Sequence, residues 1–146
     1  MKILTHLAVA LLLSFSAGCQ SKFVKVGDSD INKARLVFAT DLSKKILSAQ
    51  KGGGFYNLSE AEASPEMKSA LNESLQKKSY QQIKSAFGDY QDLKFDHLMK
   101  PTDGTLFEIY RFRGKFNPGA EVEVRTVLDA DGKLAGFFVK PWHDAM

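Results

Sequence analysis

The chain has 146 residues, 44% of them apolar, and carries 20 Lys and Arg against 17 Asp and Glu for a formal charge of +3. One domain of ordinary size can bury a single core, and charges interspersed in both signs exclude the blocks of like charge that mark a nucleic-acid protein or a polybasic membrane patch. A single cysteine leaves no internal disulfide to support the fold.

The N-terminus reads Met1-Lys2-Ile3-Leu4, then an apolar run from Leu7 to Phe15, then Ser16-Ala17-Gly18 directly before Cys19. A basic start, a short apolar stretch and small residues in that order form an export signal. The run falls well short of the roughly 20 residues a membrane-crossing helix needs, so removal is expected. The Cys19 thiol can accept a diacylglyceryl group before the chain is cut after Gly18. Ser16-Ala17-Gly18-Cys19 resembles the bacterial lipobox, with Ser16 standing where an aliphatic residue is usual. The resemblance implies a mature chain that begins at Cys19 and carries a diacylglyceryl group and a further acyl chain such as palmitate, a pair of anchors that holds a protein stably on a membrane. The expected location is the cell envelope, facing the periplasm or the exterior. Gln20 in place of Asp favours the outer membrane where a cell has one. Losing Lys2 with the leader takes the formal charge from +3 to +2.

Residues 1–18 are therefore read as signal peptide, 19–27 as lipidated N-terminus and spacer, and 28–146 as a single domain. Asp28-Ser29-Asp30 offers capping oxygens to a helix whose apolar positions are Ile31, Ala34, Phe38, Leu42, Ile46 and Ala49, and Gly52-Gly53-Gly54 ends it. From Leu58 to Phe87 the pattern predicts two short helical pieces and one longer helix. Its signals are Ser59 with Glu62 at capping-box spacing, Ser64-Pro65, and Asn72 as a third cap. The longer helix sets Leu75, Ser79, Ile83 and Ala86 on one face, with Tyr80 and Phe87 beside it, and stops at Gly88.

After Gly88 the period becomes that of strands, with turn signals at Lys100-Pro101-Thr102-Asp103-Gly104, Asn117-Pro118-Gly119 and Asp129-Ala130-Asp131-Gly132. Strands are expected near Tyr90–Met99, Thr105–Phe116, Ala120–Leu128 and Lys133–Lys140. With Phe116 facing Ala120, Lys115 falls opposite Glu121 and Arg113 opposite Glu123 on the outward face. The same register sends Leu106, Tyr110, Phe112 and Phe116 inward with Val122, Val124 and Leu128. The last strand is apolar on both sides, which implies that part of the outer face is covered by a second subunit, while Trp142 just past the strand is expected to pack on the domain's own edge, with a partner-binding tail as the alternative. The fold class is α+β, N-terminal helices packed against a curved four-stranded antiparallel meander.

Phe87-Gly88-Asp89-Tyr90 at the helix-to-sheet switch, the aromatics Tyr110, Phe112 and Phe116, and the closing run from Leu128 to Phe137 resemble the cone-shaped superfamily named after nuclear transport factor two. They are most similar to a bacterial subfamily of unknown function found alone as envelope proteins or ahead of hydrolase domains. The resemblance covers about Ile31 to Pro141 and implies fold, with no catalytic residues to carry over.

A cone of this kind encloses a cavity, here expected to be lined by Leu106, Glu108, Tyr110, Phe112, Phe116 and Thr126. The expected function is a membrane-anchored, non-enzymatic module that binds a small apolar ligand in that cavity or a protein partner. One alternative is a small isomerase, dehydratase or hydrolase with Glu108 or His97 as base; another is a structural dimer joined through the sheet. No cofactor, metal site or nucleic-acid partner is expected, since the mature chain offers only His97 and His143 as imidazole ligands. Lys51-Gly52-Gly53-Gly54 follows a helix instead of opening one, so it reads as a helix stop and not a phosphate cradle.

Replacing Cys19 by Ser is expected to abolish metabolic labelling by palmitate and to leave the chain uncut, heavier by the leader of residues 1–18 in intact-mass analysis.

Overall fold

A computed structural model describes residues 22–144, and the lipobox from Ser16 to Cys19 together with Gln20 lies outside them. The elements in order are β1 (Phe23–Lys25), a 3-10 turn (Asp28–Asp30), α1 (Lys33–Lys51), α2 (Pro65–Ala70), α3 (Glu73–Phe87), β2 (Gly88–Pro101), β3 (Glu108–Pro118), β4 (Glu121–Leu128) and β5 (Leu134–Pro141). The strands form one antiparallel sheet of five in sequence order. No helix among the described residues is long and apolar enough to cross a membrane.

The helix starts follow from side-chain caps. Asn32 accepts from the Arg35 N–H, Ser64 from Met67 ahead of Pro65, and Asn72 from Leu75. The cap of α1 corrects the expected one. Asp28–Asp30 closes a turn of its own, and Ile31 is extended, so the helix begins only after Asn32. Ser59 donates both its N–H and its hydroxyl to Glu62 Oε2, at 2.9 and 3.1 Å, which is half of the capping box that their spacing predicts, and no helix follows. Their turn instead delivers Ala63 to a parallel bridge with Leu134, and only one short helix forms.

The meander is the expected one, and its central hairpin has the expected register, with Lys115 opposite Glu121 and Arg113 opposite Glu123. The sheet is wider than expected. Phe23–Lys25, within the stretch read as spacer, pairs with Met99–Pro101 as an edge strand, and Val26 N–H adds a bond to the Leu98 carbonyl. The second strand starts later than expected. Asp103 accepts from both the N–H and the hydroxyl of Thr105, and this turn keeps Thr105–Phe107 out of β3.

One face of the sheet packs on α1 and α3. Tyr90, Leu93, Leu98, Tyr110, Phe112, Phe116, Val122, Val124 and Leu128 are buried there against Ala39, Leu47 and Tyr80. A second cluster joins Leu42, Ile46, Leu58, Ala63, Leu71 and Leu134. Rings meet edge to face, Tyr90 and Phe116 at 5.7 Å and Phe95 and Phe112 at 5.9 Å. Each such side chain contributes about 1.5–3 kcal/mol by leaving water, which makes this layer the main source of stability.

Gly88 joins α3 to β2 at φ 86°, and a Cβ there would sit 1.2 Å from the Asn117 carbonyl oxygen. Gly53 also has a positive φ, but a Cβ there would meet nothing within 4 Å. Gly53→Ala should cost about 1 kcal/mol of backbone strain alone, whereas Gly88→Ala must also displace a strand and should cost at least about 3 kcal/mol in urea unfolding.

Candidate functional site

The residues expected to line an interior cavity instead fill the interior. Tyr110, Phe112, Phe116 and Thr126 are all buried in the helix-facing layer. The Thr126 hydroxyl is 2.6 Å from that of Ser43 on α1, and Ser43 bonds back to the Ala39 carbonyl. Leu106 is a correction to the expected inner face. It lies in the turn before β3 and is 73% exposed.

Glu108 sits at the rim of the inner face, where one of its oxygens, Oε2, accepts from Tyr110 Oη at 2.8 Å and from Arg35 Nη1 at 3.2 Å. Lys100 Nζ stands 3.6 Å from Oε1. Arg35 also donates to the Ala130 carbonyl at 2.7 Å, so the group ties α1 to β3 and to the β4–β5 turn. Burial first, and then the Glu108 carboxylate, raise the Tyr110 phenol far above its ordinary range. A cleft of about 240 Å³ opens beside Glu108, walled by Arg35, Lys100, Leu106 and Phe107. A base needs an uncommitted lone pair facing substrate. Here Oε1 faces the Lys100 ammonium at 3.6 Å, Leu106 and Phe107 leave the cleft open to solvent, and it brings together only Leu106 and Glu108 of the expected set.

His97 is a second correction, for it lies on the other face of the sheet. A register shift between Phe95 and His97 sets it opposite Arg111, outside the helix-facing layer. Its Nδ1 contacts Asp96 and its Nε2 is 3.3 Å from Arg111.

That outer face holds a polar cluster that alternation alone did not single out. Arg111 is 1% exposed and Glu123 0%. Arg111 Nε and Nη2 reach the two Glu123 oxygens at 2.9 and 3.0 Å, and Nη2 also donates to the His143 carbonyl at 2.6 Å. Arg125 Nε adds 2.8 Å to Glu123 Oε1. Trp142 closes the cluster, its ring 4.5 Å from the Arg111 guanidinium and 3.9 Å from that of Arg113. The cover over this part of the sheet is therefore the chain's own tail. Burial alone would raise the Glu123 carboxyl, but hydrogen bonds and charges from Arg111 and Arg125 outweigh it and hold the group below its ordinary 4.5. The legible signal was Glu123 two residues before Arg125 on β4 and diagonal to Arg111 on β3, all on one face of the sheet; its burial was not legible, because it depends on where residues 142–143 fold.

An apolar opening lies between α3 and β5. A groove of about 430 Å³ runs between Leu75, Ser79, Ile83 and Ala86 on the helix and Phe137, Phe138 and Val139 on the strand. These helix positions form the face that periodicity marks as core-facing. In the fold Gln76 and Tyr80 take the buried side of α3, and Leu75 is left 43% exposed. Gln76 holds its position by donating to the Tyr56 and Leu71 carbonyls at 2.8 Å and accepting from the Tyr56 N–H at 2.9 Å.

No protein-family profile, curated protein or solved structure matches the chain. Among the described residues no three His, Cys, Asp or Glu side chains converge as metal ligands.

Glu123→Gln should lower unfolding stability near neutral pH by about 2–4 kcal/mol, since it leaves Arg111 buried without an anionic partner. A carboxyl depressed in the folded state stabilises above its unfolded value of 4.5 and loses that contribution as pH falls through the folded value. The variant should accordingly lose less stability than the wild type between about pH 7 and pH 3, a difference read from urea unfolding at both.

Proposed function

We propose that the protein is a lipid-anchored module of the cell envelope that binds a partner protein, receiving an extended apolar segment in the groove between α3 and β5. The observation that carries this reading is the open apolar face of α3. Leu75 and Phe138 are 43% and 53% exposed on the two sides of the groove and Ala86 is exposed beside them, while Ile83, Phe137 and Val139 are half-buried against the core below. Tyr110, Phe112 and Phe116 are spent on packing, which leaves the groove as the apolar surface available for recognition.

The strand beside the groove suits a polypeptide better than a compact ligand. β5 is an edge strand, and beyond the Leu134 N–H, which bonds to Glu62, no backbone bond on its far side is made among the described residues up to Lys140. An added strand would satisfy those groups while its side chains enter the groove. The opposite edge is protected. Most of β2 lacks an outer neighbour, but it carries register shifts at Tyr90/Asp92 and Phe95/His97 and exposes Gln91, Asp92 and Lys94.

The domain is assigned in the same proposal to the cone-shaped superfamily of nuclear transport factor two. Support comes from helices preceding an antiparallel meander, from the aromatic layer between them, and from the Phe87-Gly88-Asp89-Tyr90 junction. Anchoring is supported by the Ser16–Cys19 motif.

Site-specific photo-crosslinkers introduced at Ser79 and Phe138 in the native host test the reading. Discrete adducts are expected at both positions, none at the control Asp131, and loss of the Ser79 adduct in a Val139→Lys variant that still folds. An adduct of twice the chain's mass would identify the partner as a second copy. Equal labelling at Asp131, or no adduct in the groove, would sink the proposal.

A further inference from the structure

Across the sheet from α1, the end of the β3–β4 hairpin and the C-terminal tail enclose a cleft of about 330 Å³, lined by Lys94, Arg113, Lys115, Glu121 and Trp142 around the Gly114 backbone. We propose that this cleft is a binding site for a small organic anion, a carboxylate or phosphate carried on an apolar body. The proposal stands on the outer face alone and is independent of the groove.

Arg113 is fixed in place before any ligand arrives. Its Nε donates to Asp96 Oδ1 at 2.9 Å, and its guanidinium lies 3.9 Å from the centre of the Trp142 ring. Trp142 is itself tied down, its N–H to the Glu121 carbonyl at 3.1 Å and its Nε1 to Asp144 Oδ1 at 3.0 Å. The two terminal nitrogens of Arg113 have no acceptor within hydrogen-bond reach among the described residues, and the nearest cleft carboxylate, Glu121, is 3.9 Å from Nη1. A planar fork held from behind and beneath, with its terminal donors open, matches the two oxygens of a carboxylate or phosphate.

The neighbouring charges point the same way. Lys94 lies directly opposite Arg113 across β2 and β3, an arrangement of like charges that destabilises a sheet unless something offsets it. Lys94 has no ion-pair partner among the described residues, and Arg113 is offset only at its Nε by Asp96 and, at 3.9 Å, by the exposed Glu121. Lys115 adds a further cation, opposite Glu121 on one side and Asp92 on the other. Glu121 is the one acid in the lining; its side chain is 80% exposed and can turn to solvent. A bound anion would neutralise Lys94 and Arg113 together, and the Trp142 ring offers its body an apolar wall.

The chain has a single tryptophan, so the emission of Trp142 reports on this cleft directly. The experiment uses the mature chain, beginning at position 19 and carrying Cys19→Ser, which has neither leader nor lipid to draw it onto a bilayer. It is titrated with phenyl phosphate, benzoate and inorganic phosphate, and with vesicles of phosphatidylglycerol or of phosphatidylcholine. A saturable change with phenyl phosphate or benzoate is expected, stronger than with inorganic phosphate. Lys94→Gln and Arg113→Lys should each weaken it by roughly threefold to tenfold, the reach of a partly exposed charged contact, with the thermal transition unchanged. A response to phosphatidylglycerol vesicles alone, weakened by the same substitutions, would identify the anion as a lipid headgroup. Absence of a saturable response to every probe, or equal affinity in both variants and the parent, overturns the proposal.

Discussion

Strand alternation in the β3–β4 hairpin is the constraint on which the remaining architecture depends. Once Tyr110, Phe112 and Phe116 point toward the helices with Val122 and Val124, Arg111 and Glu123 must point away from them. Neither charge is left in water. They pair through two hydrogen bonds, recruit Arg125, and are roofed by Trp142 and the His143 carbonyl. A pair so enclosed contributes little net stability over apolar residues of the same shape, but leaving either member alone is costly. Its effect is to fix where the tail lies, and the tail in turn forms one wall of the outer cleft.

The helices meet a comparable conflict in α3. A helix of the Leu75–Ile83–Ala86 pattern would ordinarily bury that face, yet the loop before it makes a stronger demand. Gln76 satisfies the backbone of Tyr56 and the end of α2, which turns Tyr80 inward to bond both the Asp89 carboxylate and the Tyr90 N–H. The apolar stripe is thereby turned partly toward β5, with Ile83 half-buried against the core and Leu75 and Ala86 left exposed. Polar satisfaction outranks the few kcal/mol of burial given up, because an unpaired buried amide costs as much as a large apolar contact returns.

Much of this was legible in the residues and some was not. The caps Ser64 and Asn72, the register of Arg113 and Lys115 against Glu123 and Glu121, and the inward aromatics all follow from local chemistry, where spacing and charge act over a few residues. β1 escaped notice because a strand of three residues shows no period. Leu106 was misread because alternation was carried back through an Asp103–Thr105 turn that interrupts it. His97 changed face through a bulge, which shifts register by one residue and leaves no compositional trace. For α3, periodicity identified a face but not its direction, since direction is set by partners distant in the chain. The burial of Arg111 and the identity of the cover over the outer sheet share that origin.

The asymmetry of the sheet's two borders governs how far any association through it can proceed. One border carries two register shifts and exposed charges along β2; the other, along β5, has one shift near Ala135 and is regular and apolar from Gly136 to Val139. A guest strand laid on β5 consumes the single sticky border the fold possesses. Stoichiometry is thereby capped at one guest per chain, and if that guest is another copy of the same chain, the resulting pair shows only repellent borders to the outside. Such a geometry terminates after one addition and denies the chain a route to open-ended fibres.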